Sequence, residues 1–347
     1  MDQYRGRFAP SPTGPLHFGS LVAAVGSYLE AKTRDGEWLL RIEDLDPPRE
    51  QPGAAGAILR TLEACGMGWD GEPSYQSRRK DAYRAALARL ETQGRVYPCA
   101  CTRREIADSH LTFARSAHDA PLAHASGRGA GGEGEGNRDR AHDAPLARAS
   151  GRGAGGEGQR NGARIYPGTC RTGIARGRTP RATRLRVDHG VIEFDDALQG
   201  RLRQELAAEV GDFVLLRADG LYAYQLAVVV DDAEQGITDV VRGADLLDST
   251  PRQIYLQRLL GLPAPRYLHL PAAVNAAGEK LSKQTLAPPV NARDPVPALV
   301  QVMAFLGQAP PAQLERASLC DFWDWALAHW SAQRVPHVRS LRAPSVS

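Results

Sequence analysis

An α/β fold is predicted for this chain on three observations. Runs of strand length and segments of helical period alternate along it, the pattern of strands joined by crossover helices. The stretch from Arg7 to Glu43 reads as one complete βαβ unit with polar side chains gathered where its strands end. The 347 residues are enough for a large core divided among two or three domains.

Arg7 to Ala9 form the first strand, and Pro10, Pro12, Gly14 and Pro15 make the turn that follows. His17-Phe18-Gly19-Ser20 stands at the mouth of a helix. Leu21, Ala24, Val25 and Tyr28 fall at i, i+3, i+4 and i+7 and give that helix one apolar face. Gly36 stops it, and Trp38 to Ile42 is an apolar strand that runs into Glu43 and Asp44. In open α/β sheets, ligands bind at the carboxyl ends of the strands, where these polar residues lie. Asp46-Pro47-Pro48-Arg49 is a turn. A helix from about Gly53 to Ala64 faces inward with Ala55, Ile58, Leu59 and Leu62, and Gly66 ends it. A longer helix, roughly Ser77 to Gln93, buries Tyr83, Ala86, Leu87 and Leu90, with Gly94 at its C-terminus.

Residues 107–162 are of a different composition. Ala117 to Gly134 recurs as Ala141 to Gly158, and over those 18 positions only His124 and Arg148 differ. A single duplication is not a solenoid, which needs at least three stacked units. No Phe, Trp or Tyr falls between Phe113 and Tyr166, so the segment lacks the apolar surface to offset the entropy of ordering it and is expected to be a disordered insertion. Nothing around His118, His124 and His142 fixes a metal-ligand geometry.

Beyond it, Ala182 to Val187 is expected as a strand running towards solvent, and Phe213 to Arg217 as another. Ala218-Asp219-Gly220 makes a tight turn, and Leu221 to Val230 is expected as a long buried strand with Asp231-Asp232 capping the next turn. Ile237 to Val241 is a strand, Ser249 to Leu260 a helix, and Asn275 to Gly278 a hairpin-like turn. Two amphipathic helices close the chain. One presents Leu299, Val302, Met303 and Leu306; the other presents Leu319, Phe322, Trp323, Ala326, Leu327 and Trp330 behind a Ser318-x-x-Asp321 capping box. From about Pro336 the chain is expected to fray.

The net charge is +3, with 43 basic against 40 acidic residues, so composition alone does not point to nucleic acid. No apolar run approaches the 18 residues of a membrane span, and MDQYRGRF has no apolar core of a signal peptide. Five cysteines are too few and too unevenly spread for a disulfide scaffold. A soluble, cytoplasmic protein is expected, without membrane contact, and nothing demands more than a monomer. Cys65 and Cys320 lie on apolar helical faces and are expected in the core.

Two motifs carry chemistry. A His and a Gly two residues apart at a helix mouth suit a nucleoside triphosphate: the Gly admits close approach, the helix N-terminus favours anionic oxygens, and the imidazole can donate to phosphate. Lys280-Leu281-Ser282-Lys283-Gln284, about 260 residues downstream, offers two lysines three apart, suited to neutralising a pentavalent phosphoryl transition state. Each alone has a bland reading, as a helix cap and as a solvated loop. In this order the pair resembles the HIGH and KMSKS signatures of class I aminoacyl-tRNA synthetases. Arg7-Phe8-Ala9-Pro10-Ser11-Pro12-Thr13-Gly14, Arg41-Ile42-Glu43-Asp44 with Asp46-Pro47, and Val229-Val230-Asp231-Asp232 are similar to the glutamyl branch. The resemblance runs from about residue 5 to about 290, apart from the insertion.

The resemblance implies a Rossmann-like catalytic domain that binds L-glutamate and ATP with Mg²⁺. It assigns His17, Gly19, Ser20, Lys280 and Lys283 to ATP and Arg7, Ala9, Ser11, Glu43, Tyr224 and Arg242 to glutamate. Within that set Arg7 suits a bidentate carboxylate contact, Ser11 a hydrogen bond, Glu43 the ammonium, and Arg242 a second carboxylate clamp. An arginine at a strand end also reads as a surface salt bridge. The family further implies one structural Zn²⁺ per chain, for which Cys99-x-Cys101 and Tyr166-x-x-x-Cys170 would supply three thiolates and a phenolate. The insertion lies between the two halves, and lengthening a flexible loop costs only about 0.6 kcal/mol per doubling.

Two departures narrow the branch. Only 63 residues follow Gln284, room for two or three helices and no helical anticodon-binding domain. The family's Tyr-x-Leu-Ala-Asn run stands here as Tyr224-Gln225-Leu226-Ala227-Val228, and Arg242-Gly243-Ala244-Asp245 also sets the chain apart from the longer enzymes. Both resemble the truncated paralogues that attach glutamate to queuosine in tRNA(Asp). The expected division is a first catalytic half at 1–96, a zinc-binding insertion at 97–174, the second catalytic half at 175–247, a helical subdomain with the lysine loop at 248–292, and C-terminal helices at 293–347. The expected activity is ATP-dependent activation of glutamate and its transfer to queuosine-containing tRNA(Asp). Two other readings stay open: a short glutamyl-tRNA synthetase charging a 3′ end, and a non-catalytic zinc- or RNA-binding relic.

Overall fold

The computed structural model describes residues 3–102, 104–106, 165–281 and 288–344. The expectation for the duplicated segment, about 107–162, lies outside the described residues, as does Lys283.

Strands β1 (Arg5–Phe8) and β2 (Glu37–Ile42) pair in parallel, Arg5 opposite Glu37 and Phe8 opposite Leu40, and β3 (Ser74–Tyr75) adds in parallel outside β2. A second sheet has the order β7-β6-β10-β9, with β6 (Val191–Asp196), β7 (Gly200–Glu205), β9 (Asp239–Gly243) and β10 (Arg266–Leu270). Its β9 edge lies against β1: the Arg5 carbonyl accepts the Thr238 N–H at 2.9 Å, and the Arg5 N–H donates to Thr238 Oγ1 at 2.8 Å. β1, β2 and β9 therefore end side by side, and side chains separated by more than 200 positions meet there.

Seven helices of ten or more residues flank these strands among the described residues: α1 (Phe18–Lys32), α2 (Ala54–Ala64), α3 (Lys80–Thr92), α4 (Tyr224–Glu234), α5 (Thr250–Leu260), α6 (Val296–Phe305) and α7 (Leu319–His329). Two cores result. Leu21, Val25, Leu29, Trp38, Leu299, Met303 and Phe322 join α1 and β2 to the C-terminal helices. Tyr83, Leu87, Leu226, Val229, Ile254 and Leu256 join α3, α4 and α5. Each such side chain contributes about 1.5–3 kcal/mol on burial. Helix α1 runs so close to β10 that a Cβ on Gly26 would overlap the Leu270 side chain. The capping box of Ser318 and Asp321 is formed at the start of α7. Trp323 and Trp330 fasten that helix by donating to the Cys65 carbonyl at 2.8 Å and to Glu30 Oε1 at 2.7 Å.

A third, antiparallel sheet consists of β4 (Val96–Cys99), β5 (Ala182–Leu185) and β8 (Val214–Leu216). The expected strand at 182–187 is thus its central member.

Four expectations are corrected. Tyr224–Glu234 is a helix rather than the end of a long strand. A buried apolar run has no polar face to reveal its period, and this one is covered on both sides by α3 and α5. Asp231 and Asp232 therefore lie within α4 and are buried instead of capping a turn. The tail does not fray at Pro336: β12 (Ser340–Arg342) pairs in parallel with β11 (Ala272–Val274), so its backbone groups are satisfied by a ladder that no local pattern announces. Cys320 is exposed, whereas Cys65 is buried and its thiol is pushed up to about 12 by burial. The β6–β7 hairpin and β10 carried no expectation; β7, Gly-Arg-Leu-Arg-Gln-Glu, is too polar to show a buried face.

Candidate active site

The strand ends of β1 and β2 meet α4 in a layer of buried charge. Arg7, from β1, donates through Nε and Nη2 to the two carboxylate oxygens of Asp232 at 3.1 and 3.4 Å. Arg41, from β2, is fully buried and donates to Asp232 Oδ1 at 2.7 Å and to Gln235 Oε1 at 2.5 Å. Burial opposes ionisation of Asp232, but Arg7 and Arg41 hold it below the usual carboxylate range. Asp231 accepts from Gln76 Nε2 at 2.7 Å, Arg79 Nε at 2.5 Å and the Tyr83 hydroxyl at 2.8 Å. The two aspartates of α4 thus tie β1, β2 and α3 together. The Arg7 fork expected to grip a substrate carboxylate is engaged with a resident one.

Glu43 follows β2 directly. Its N–H donates to the Pro10 carbonyl at 3.0 Å, which ties the Ala9–Ser11 loop to it; Ala9 is half-buried and Ser11 exposed. The nearest cation, Arg41 Nη2, is 3.7 Å from its carboxylate. Burial pushes Glu43 up to about 7, against the opposing pull of Arg41 and Arg7. Burial therefore favours its protonated form, and a neighbouring cation would favour its charged form.

Tyr224 opens α4, and its hydroxyl accepts from Arg242 Nη1 at 3.3 Å. Burial raises this phenol; Arg242 and Arg7 act to lower it and Glu43 and Asp232 to raise it. Arg7, Glu43, Tyr224 and Arg242 are therefore electrostatic neighbours although they come from four elements. Arg242, in β9, is buried, and its Nη2 donates to Thr250 Oγ1 at 2.9 Å and Gln253 Oε1 at 2.8 Å, and its Nε to His269 Nε2 at 3.0 Å. It is not a surface salt bridge. Among the described residues every direct partner of this guanidinium is neutral.

At the other end of the loop from β1, His17 caps α1, its ring nitrogen accepting the Ser20 N–H at 3.3 Å. Gly19 lies against that ring, and a Cβ there would come within 3.3 Å of it and 3.7 Å of Ala273 Cβ in β11. The lysine motif follows β11. Lys280 bridges to Val274 across the Asn275–Gly278 turn, forms an ion pair with Asp245, and is followed by Leu281, whose N–H donates to the Ala273 carbonyl at 2.8 Å. The chain is described again by Pro289, which bridges to His17. The described flanks of the lysine motif, β11 and Pro289, thus lie at the N-terminus of α1, where backbone N–H groups favour phosphate.

A separate cluster gathers Cys99, Cys101 and Cys170, whose sulfurs lie within 4.8 Å of one another. Cys101 Sγ and Cys170 Sγ are 3.6 Å apart, and the Tyr166 hydroxyl is 3.4 Å from Cys99 Sγ and 3.6 Å from Cys101 Sγ. Zn–S bonds of about 2.3 Å in a tetrahedron put sulfurs about 3.8 Å apart, so these residues fit a zinc ion.

Arg41 carried no expected role and Asp231-Asp232 only that of a turn cap, and Asp196, Thr250, Gln253 and His269 carried no functional expectation. The available signal was an aspartate pair set directly on an apolar run, an expensive placement unless cations are buried beside it.

Residues 3–123 and 164–315 match the family described as tRNA synthetases class I (E and Q), catalytic domain. The glutamyl-Q tRNA(Asp) synthetase of Aromatoleum aromaticum is 53% identical over 341 residues, which cover 98% of this chain and 93% of that protein. The protein of the same name from Chromobacterium violaceum is 56% identical over 333 residues, 96% and 95% of the two chains. A crystal structure of a glutamate tRNA ligase from Elizabethkingia meningosepticum in complex with its amino acid resembles the fold with a TM-score of 0.70 at 24% identity, covering 99% of this chain and 67% of that one. The expected class I catalytic fold is therefore observed, and the family is one of ligases. The chain belongs to the class I tRNA synthetases, in the catalytic-domain family of the E and Q enzymes.

Proposed function

We propose that this enzyme activates L-glutamate with ATP and transfers the glutamyl group to queuosine in tRNA(Asp). Arg242 carries the reading: a buried guanidinium whose direct partners are all neutral is costly unless an anion from outside the chain completes it. Glu43, poised near neutrality on the same site, offers the complementary charge for an ammonium. A ligand with carboxylate and ammonium groups matches both, and the names of the relatives, glutamyl-Q tRNA(Asp) synthetases, point to glutamate and the tRNA acceptor.

In the first step an oxygen of the glutamate α-carboxylate attacks the α-phosphorus of ATP. The carboxylate–phosphorus bond forms as the bond to the bridging oxygen breaks, and pyrophosphate leaves. No side-chain nucleophile is needed, because the substrate carboxylate is itself one. Arg7, Ala9, Ser11, Glu43, Tyr224 and Arg242 hold glutamate; His17, Gly19, Ser20, Lys280 and Lys283 hold the triphosphate, whose charge Mg²⁺ shares. In the second step a hydroxyl of the queuosine cyclopentenediol attacks the glutamyl carbonyl and AMP departs. Cys99, Cys101, Tyr166 and Cys170 would hold one zinc ion that ties β4 to the 166–170 segment and takes no part in the chemistry. The enzyme works in the cytoplasm as a monomer.

The test is ATP–pyrophosphate exchange with glutamate, glutamine and aspartate, followed by glutamylation of queuosine-containing tRNA(Asp) and of tRNA(Glu). Exchange with glutamate and labelling of the first RNA are expected. Labelling of tRNA(Glu) 3′ ends alone would make this a short glutamyl-tRNA synthetase, and failure in every assay a relic.

A further inference from the structure

Behind Arg242 lies a second buried pair, Asp196 at the end of β6 and His269 in β10. Asp196 Oδ1 accepts N–H groups from Leu198, Gln199 and His269 at 3.0, 2.8 and 3.2 Å, and Oδ2 lies 2.6 Å from His269 Nδ1. Burial works against its ionisation, but the His269 contact and these backbone donors hold it below the usual range. An ionised Asp196 only accepts, so the imidazole proton sits on Nδ1 and leaves Nε2 as an acceptor for the Arg242 Nε–H. Burial and the Arg242 cation hold His269 neutral, down to about 4.

We propose that the Asp196–His269 pair is a positioning relay that orients Arg242 for its anionic ligand without neutralising it. Arg242 has Nε on His269 and Nη2 on Thr250 and Gln253, which leaves the Nη1 edge beside Tyr224 turned to the site. The contrast with Arg7 gives the reason for an intervening imidazole. Arg7 meets Asp232 directly, and the contact that aligns it also offsets part of its charge. His269 carries the alignment of Asp196 across one ring while presenting only a neutral nitrogen, so the positive charge stays available. The proposal rests on the reading that Arg242 holds the amino-acid substrate.

Asp196→Asn reverses the relay. Its amide offers an N–H where Asp196 accepts, which shifts the imidazole proton to Nε2 and sets it against the Arg242 Nε–H. The KM for glutamate is expected to rise by about ten- to a hundredfold, the range for one hydrogen bond to a charged group, with the KM for ATP nearly unchanged. Nitrogen NMR of His269 should show Nδ1–H in the parent and Nε2–H in the variant. His269→Asn keeps a donor for Asp196 and lacks the acceptor for Arg242, whereas His269→Gln returns an acceptor near Nε2, so Gln should recover part of what Asn loses. If Asp196→Asn does not fold, this pair decides. Equal glutamate KM in His269→Asn and the parent, or equal losses for ATP and glutamate throughout, would overturn the relay. Arg242→Ala separates the two ideas. No change in glutamate KM there removes the reading beneath the relay, while a large change with silent relay variants removes the relay alone.

Discussion

Glu43 sits at the conflict between stability and chemistry, and Glu43→Gln should expose it. The carboxyl goes from an ordinary 4.5 to about 7 in the fold, chiefly by burial, and its side chain is 10% exposed. At about 1.4 kcal/mol per pH unit, keeping Glu43 ionised costs the folded state about 3 kcal/mol. Below pH 4.5 the group is protonated in folded and unfolded chains alike and the cost is absent. Between 4.5 and 7 the folded chain retains a proton that the unfolded chain has lost, so stability falls as pH rises; above 7 the full cost is present. Glutamine never ionises. The variant should match the parent near pH 4.5 and exceed it by about 3 kcal/mol at pH 8, while losing exchange activity with glutamate because the ammonium has no anion to meet. In the parent, glutamate KM should be flat above pH 7 and rise by about tenfold per pH unit below it. Urea unfolding of both proteins across this range, with exchange kinetics alongside, checks each part. Stability curves that run parallel for the two proteins would refute the reasoning.

Three further outcomes follow from the same contacts. Asp232→Asn leaves two buried guanidinium groups short of their carboxylate and should cost about 3–5 kcal/mol of stability, read from the urea midpoint. Cys170→Ser should carry less than one zinc per chain by elemental analysis, against one in the parent; equal metal content would dissociate the cluster from zinc. Deleting residues 337–347 removes β12 and the Gln199 bond to the Val338 carbonyl, so the strand leading to Lys280 loses its partner. Exchange should fall roughly tenfold, the effect of one or two hydrogen bonds, with little change in Tm; an undiminished rate would disconnect the tail from the lysine loop.

The elements that were legible share one property, a signal contained within a few turns of chain. The apolar face Leu21, Ala24 and Val25, the cap at His17 and the Ser318–Asp321 box are formed as their spacing implies. The misread elements lacked such a signal. Residues 225–232 of α4 are buried all round, so the helical period is hidden, and β12 has meaning only beside β11. In the site, Glu43 and Arg242 were found by resemblance, but their electrostatic state was not. A carboxyl near 7 and a guanidinium with neutral partners are properties of surroundings, not of residue type.

By itself the sequence determined which backbone segments could become strands and helices and where the two motifs stand. These depend on propensity, periodicity and local hydrogen bonds, which act over a few residues. Only the tertiary structure decided that Asp232, 225 positions from Arg7 and 191 from Arg41, takes up both guanidinium groups, while Arg242 is aimed through a neutral histidine and keeps its charge. Coulomb and desolvation energies depend on distance and burial in space, and a chain acquires those only when its distant strands are laid side by side.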